Sequence, residues 1–134
     1  MLLPHAATVV VADGEKLLVF RNSGSDSEPK LAAVTHPEPG NDNIPSGGRH
    51  HSSAANPDDS TLVEDAFAAS TAAWLNEQVL GGKIEALVVI AAPKTLGELR
   101  KHYHKALSAV LAGELAKDLT GHTTADIEKA IAAA

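Results

Sequence analysis

The sequence predicts an α/β protein, a mixed β-sheet flanked by helices, and three observations carry that reading. The β-branched run over Ala7–Ala12 is closed by Asp13-Gly14, a tight-turn pair. Ala86–Ala92 is apolar at every position, the pattern of a central strand covered on both faces. Three Thr-initiated capping patterns, at Thr61, Thr95 and Thr123, stand before stretches of helical composition.

In chain order, Ala7–Ala12 is the first strand, and Leu17–Phe20 returns against it as a hairpin. Asn22–Lys30, rich in Ser, Asp and Gly, is a loop, and Leu31–Thr35 is a short third strand ending before Pro37. From Pro37 to Ser60 there is no periodicity; the composition, Pro, Gly, Asn, Asp and Ser, predicts a long flexible loop at about 37–60. Thr61-Leu-Val-Glu64 opens the first helix, with Val63, Phe67 and Trp74 on one face and Ala66 and Ala73 beside them. Gly81-Gly82 stops it. After the strand at Ala86–Ala92, Thr95-Leu-Gly-Glu98 starts the next helix, and Thr123, with Asp126 at the third helical position, caps the last, Thr124–Ala133. Leu107–Leu119 is ambiguous: Leu107, Leu111 and Leu115 recur at helical spacing, and alternation is poorer.

A chain of 134 residues suits one domain spanning 1–134 with a single core. Only 3% of it is aromatic, so that core must be Leu, Val, Ile and Ala around Trp74, Phe67 and Phe20. A net charge of −6 denies the chain a global basic field, so any RNA contact must come from a local patch. The absence of cysteine excludes disulfides, thiolate metal sites and Cys nucleophiles, and suits a reducing compartment. Met1–Leu3 is too short for a signal sequence, and the longest apolar run, Ala86–Ala92, is too short to span a bilayer. A cytoplasmic protein without a membrane partner is expected. With no G-x-G-x-x-G, P-loop or nucleophile elbow, no cofactor is expected.

The segments VADGEKLLVFRN (11–22), LVVIAAPKTLGELRKHYHKAL (87–107) and ELAKDLTGHTTADIEKAI (114–131) together resemble the bacterial host attachment protein family. That family is similar in turn to the middle domain of the release-factor and Pelota lineage. The resemblance covers nearly the whole chain. It implies a ribonuclease-H-like fold, a strand around Val110–Leu119, and the order β-β-β-α-β-α-β-α. The family name implies a part in attachment to host cells, indirect for a chain without an export signal. Release-factor middle domains carry a Gly-Gly-Gln loop that triggers peptidyl-tRNA hydrolysis. Here Gly47-Gly48 is followed by Arg49, which argues against peptide release by that route.

Three groups of residues bear on chemistry. Asp13 ends the first strand, near where ribonuclease-H-like nucleases place a metal-binding carboxylate. Two-metal hydrolysis needs carboxylates converging on ions roughly 4 Å apart, and the candidate partners are Asp65 and Asp118. The chemistry of an Asp-Gly turn explains Asp13 fully by itself, and no spacing ties the three acids together. Arg49-His50-His51, after the glycine pair, is either a solvated loop or a basic loop that meets phosphate oxygens. Adjacent histidines rarely reach one metal ion together, so no metal site is assigned. Arg100, Lys101 and Lys105 sit in the one dense basic cluster, where His102 and His104 diverge by about 200° on a helix and cannot chelate together. The leading expectation is a non-catalytic binding domain whose candidate partner is RNA or the translation machinery, met by Arg49, Arg100, Lys101 and Lys105. The alternative is a metal-dependent phosphodiesterase or nuclease centred on Asp13.

Overall fold

A computed structural model of the chain describes residues 1–36 and 59–134. Its elements are β1 (Thr8–Ala12), β2 (Leu17–Asn22), β3 (Leu31–Ala33), α1 (Asp59–Leu80), β4 (Leu87–Ala91), α2 (Pro93–Arg100), α3 (Lys105–Val110), β5 (Leu111–Ala116) and α4 (Thr124–Ala133). The five strands form one mixed sheet in the order β3-β2-β1-β4-β5. β1, β4 and β5 run parallel, β2 is antiparallel to β1, and β3 is antiparallel to β2.

β1 and β4 lie inside the sheet and are buried at every position. Strands covered on both faces need apolar side chains, which is why VVVA within β1 and LVVIA in β4 read as unbroken runs. One face, with Val10, Val19, Leu87 and Val89, packs under Phe67, Ala72 and Leu75 of α1, Leu96 and Leu99 of α2, and Leu107 of α3. The other, with Val9, Val11, Val88 and Ile90, is covered by Ile127 and Ile131 of α4 together with Leu3 and Leu119.

The hairpin, the glycine stop and the last cap form as expected. Asp13 Oδ1 accepts from the backbone N–H of Glu15 (2.7 Å) and of Lys16 (2.6 Å), closing the β1–β2 turn. Gly82 takes φ +75°, a left-handed conformation that a β-carbon disfavours. Thr123 Oγ1 accepts from Asp126 N at 3.1 Å, satisfying a donor at the start of α4.

Elsewhere the structure corrects the reading. The expected loop to residue 60 ends earlier, because α1 already begins at Asp59; residues 37–58 of that loop lie outside the described residues. β3 is shorter than Leu31–Thr35, as expected of an edge strand whose residues are half-buried or exposed. On α1, Val63 and Ala73 face solvent, and Leu75 with Ala68 and Ala72 makes the core stripe beside Phe67. Thr95 does not cap α2: the helix starts two residues earlier, on Pro93, with Ala92 as a cap that offers no side-chain bond. Proline at the first helical position lacks only an N–H that would be orphaned anyway, and its fixed φ suits the helix. The ambiguous stretch is both things in succession. His104 Nδ1 accepts from Ala106 N (3.0 Å) to open α3, which passes without a loop into β5 at Leu111. The strand therefore ends at Ala116, short of the expected Leu119, and the order gains a helix between β4 and β5.

Candidate functional site

The carboxyl ends of β1, β4 and β5 open side by side, and ligands of open α/β sheets bind outside such ends. Asp13 follows β1, Pro93 and Lys94 follow β4, and Asp118 and Thr120 follow β5. The Thr120 hydroxyl stands 2.8 Å from Asp13 Oδ2 and 3.0 Å from Asp118 Oδ1, and with one proton it donates to one carboxylate at a time. Two of the three acids singled out in the sequence thus meet across a shared hydroxyl. Asp65 does not join them: it lies on α1 within electrostatic reach of Lys101. Among the described residues no three His, Cys, Asp or Glu side chains are grouped so as to hold a metal ion.

Burial pushes the Asp13 carboxyl up, but the N–H groups of Glu15 and Lys16, the Thr120 hydroxyl and the Lys16 charge outweigh it. The net effect holds Asp13 below the usual carboxylate range, and so ionised at neutral pH. Glu64 of α1 closes over this turn, where a β-carbon on Gly14 would come within 2.6 Å of its Cγ, so only glycine admits that approach. Lys94 Nζ lies 3.8 Å from Glu64 Oε2.

The basic cluster sits on the turn between α2 and α3. Arg100 reaches across to β5 and grips Glu114 with both Nε and Nη2, at 2.9–3.2 Å. That bond raises the guanidinium's proton affinity. Lys101 Nζ lies 2.9 Å from Glu98 Oε2, and the bond raises the ammonium's pKa while lowering that of Glu98. Burial, then the nearby Glu114 charge, push the Tyr103 hydroxyl well above its ordinary value. Asn76 of α1 holds the turn by its backbone, donating to His102 O and accepting from His104 N, each at 2.9 Å. His102 Nε2 points back to Glu98 Oε1 at 3.5 Å, while His104 caps α3, so the two histidines serve different helices. Lys105, exposed at the start of α3, has no ion-pair partner among the described residues. Arg49, His50 and His51 lie outside the described residues.

The chain is matched from residue 6 to residue 131 by the bacterial archaeo-eukaryotic release factor family 12. The chain belongs to that family. The match takes in the hairpin with Asp13, the helical layer, the basic turn and the Asp118–Thr120 segment, so both groups of residues lie within the matched region. A search of curated proteins finds no match.

The sequence reading missed Thr120, Glu114 and Asn76. Each acts across a long chain separation: 107 residues from Asp13 to Thr120, 14 from Arg100 to Glu114 and 28 from Asn76 to His104. The only local hint was chemical, in that a cation as dense as Arg100-Lys101 needs acidic partners when the whole chain is acidic.

Proposed function

We propose that this chain is a non-catalytic binding domain that contacts the translation machinery. The observation that carries the reading is membership of a release-factor family over residues 6–131. The sequence after Gly47-Gly48 is Arg49, not the glutamine of a peptide-release loop, which favours binding without hydrolysis. The contact would rest on local cations, Lys105 first, with Arg100, Lys101 and Arg49. Arg100 and Lys101 are themselves exposed, at 56% and 69% of the side chain, so both stay accessible to phosphate although their carboxylate partners are half-buried. We also read the sheet, in which β2 alone runs against the other strands, as ribonuclease-H-like, and the domain as cytoplasmic. No described helix is long and apolar enough to cross a membrane. Any part in attachment to host cells would be indirect.

The test is co-sedimentation of the full chain with ribosomes over a salt series. Association at low salt is expected, and Arg100→Ala/Lys101→Ala should bind more weakly and depend less on salt, by roughly one unit of slope per lost phosphate contact. No association at low salt would overturn the reading.

A further inference from the structure

At the opposite end of the sheet from Asp13, a small cleft opens between the β1–β2 edge and the C-terminal end of α1. It is lined by Thr8, Arg21, Thr35, Gln78 and Lys83 around Trp74 and Ile84. Register explains the convergence. Thr8 pairs directly with Arg21, and Thr8 lies on the face of the sheet that Val10 and Val19 turn toward α1. Gly82 turns the chain sharply after α1 and delivers Lys83 to the same place.

What distinguishes this cleft is unspent hydrogen-bonding capacity. The side chains of Thr8, Arg21, Thr35, Gln78 and Lys83 have no hydrogen-bond or ion-pair partner among the described residues. Thr8 is only 4% exposed, so its side chain is held in place by the surrounding packing while lining the cleft. By contrast Arg100, Lys101 and Asn76 are all engaged within the chain. Among the described residues no carboxylate lines the cleft; Glu77 and Glu85 are exposed neighbours in the sequence and not part of the lining. The last carbonyls of α1 are themselves bonded by Gly81, Gly82 and Lys83, which blunts the negative end of that helix.

Size selects the ligand. The cleft holds about 50 Å³, on a measure by which one water needs roughly 10–15 Å³. That is room for a tetrahedral group of four oxygens and too little for a nucleobase. Two cations, two hydroxyls and an amide are the side chains that contact phosphate oxygens in nucleic-acid complexes. We infer that this cleft seats one phosphate group of an RNA strand, with Arg21 and Lys83 supplying charge and Thr8, Thr35 and Gln78 supplying orientation. The inference rests on the translation-machinery reading for its choice of RNA as the phosphate's source.

Trp74 is the only tryptophan, so the intrinsic fluorescence of the full chain reports on the cleft. The emission should change saturably on titration with a short single-stranded RNA, and more weakly with sodium phosphate against sodium chloride at equal ionic strength. Arg21→Gln/Lys83→Gln should weaken RNA binding about tenfold and lower its salt slope by roughly one unit, the count for one phosphate. Thr8→Val, which keeps the burial and removes the hydroxyl, should weaken it severalfold with an unchanged circular dichroism spectrum. Lys129→Gln, on the exposed side of α4, should match the parent chain. No saturable change with RNA, or undiminished binding in the double variant, overturns the inference. A response to free phosphate but not to RNA also overturns it as stated. Ribosome co-sedimentation separates the two proposals: RNA binding in the cleft without ribosome association sinks the translation reading alone. Ribosome association indifferent to Arg21 and Lys83 sinks the cleft alone.

Discussion

Asn22 lies fully buried at the end of β2, and its side chain organises the whole loop that follows. Its amide donates to the carbonyls of Leu3 (2.9 Å), Pro4 (3.2 Å) and Ser25 (3.2 Å), while its oxygen accepts from Gly24 N (2.9 Å) and Lys30 N (3.0 Å). Nothing in the local sequence separates this asparagine from an ordinary loop residue, because its partners are up to 19 residues away. Asn22→Ala should cost about 2–4 kcal/mol in urea unfolding, since it strands several buried backbone groups at once. A loss below about half of that would mean water replaces the amide. At Asp13 the expectation concerns pH. Its folded-state pKa lies below the ordinary 3.8, so its charge stabilises the fold above that value, and the contribution is lost as pH falls through the folded pKa. Asp13→Asn keeps an oxygen for the Glu15 and Lys16 N–H groups but no charge. It should be less stable than the parent at neutral pH, and the two should converge in acid below about pH 4. A gap in unfolding midpoint that persists into strong acid would assign the role of Asp13 to turn geometry alone.

The elements that were legible are those whose burial forces their composition. β1 and β4 must be apolar on both faces, and no helix of the same length would need that. The misread elements are those where a local rule had a stronger competitor. Thr95-Leu-Gly-Glu98 satisfies the capping pattern, yet Pro93, two residues past the end of β4, is the better start signal, and it wins. On α1 the bulk of Trp74 suggested a stripe through Val63, whereas the sheet selects the face with Phe67, Ala68, Ala72 and Leu75. The passage of α3 into β5 carries no turn residues, so no composition change marks it. The two threonines make a direct comparison. Thr123→Ala should cost about 1 kcal/mol, because its hydroxyl satisfies the N–H of Asp126, while Thr95→Ala, inside the first turn of α2, should be nearly neutral. Equal losses in thermal unfolding would restore Thr95 as a cap. Neither site's geometry could have been read in this way: Asp13, Asp118 and Thr120 meet only because β1 and β5 flank β4 with their carboxyl ends aligned.

Across the whole molecule, an acidic chain proposed to meet a polyanion through a few cations has two uses for each of them, and Arg100 shows the competition. Its bidentate bond to Glu114 ties the end of α2 to β5, the edge strand, beside Tyr103. The same guanidinium is a candidate phosphate contact, and it cannot present both faces of its fork to Glu114 and to RNA at once. Glu114→Gln resolves the conflict. It keeps a side chain of the same shape while removing the charge that holds Arg100, and it makes the net charge less negative by one, which by itself favours approach to a polyanion. If Arg100 meets the partner, Glu114→Gln should tighten ribosome association severalfold at low salt and steepen its salt dependence by roughly one unit, with only a small loss of thermal stability. The general charge effect is controlled by Glu128→Gln, which changes net charge equally from α4, where Glu128 accepts from Leu31 N and makes no ion pair among the described residues. Equal tightening by both variants would show a field effect and remove Arg100 from the contact. Weaker binding by Glu114→Gln would show that the Arg100–Glu114 bridge shapes the turn that Lys105 presents, and that Arg100 belongs to the fold and not to the interface.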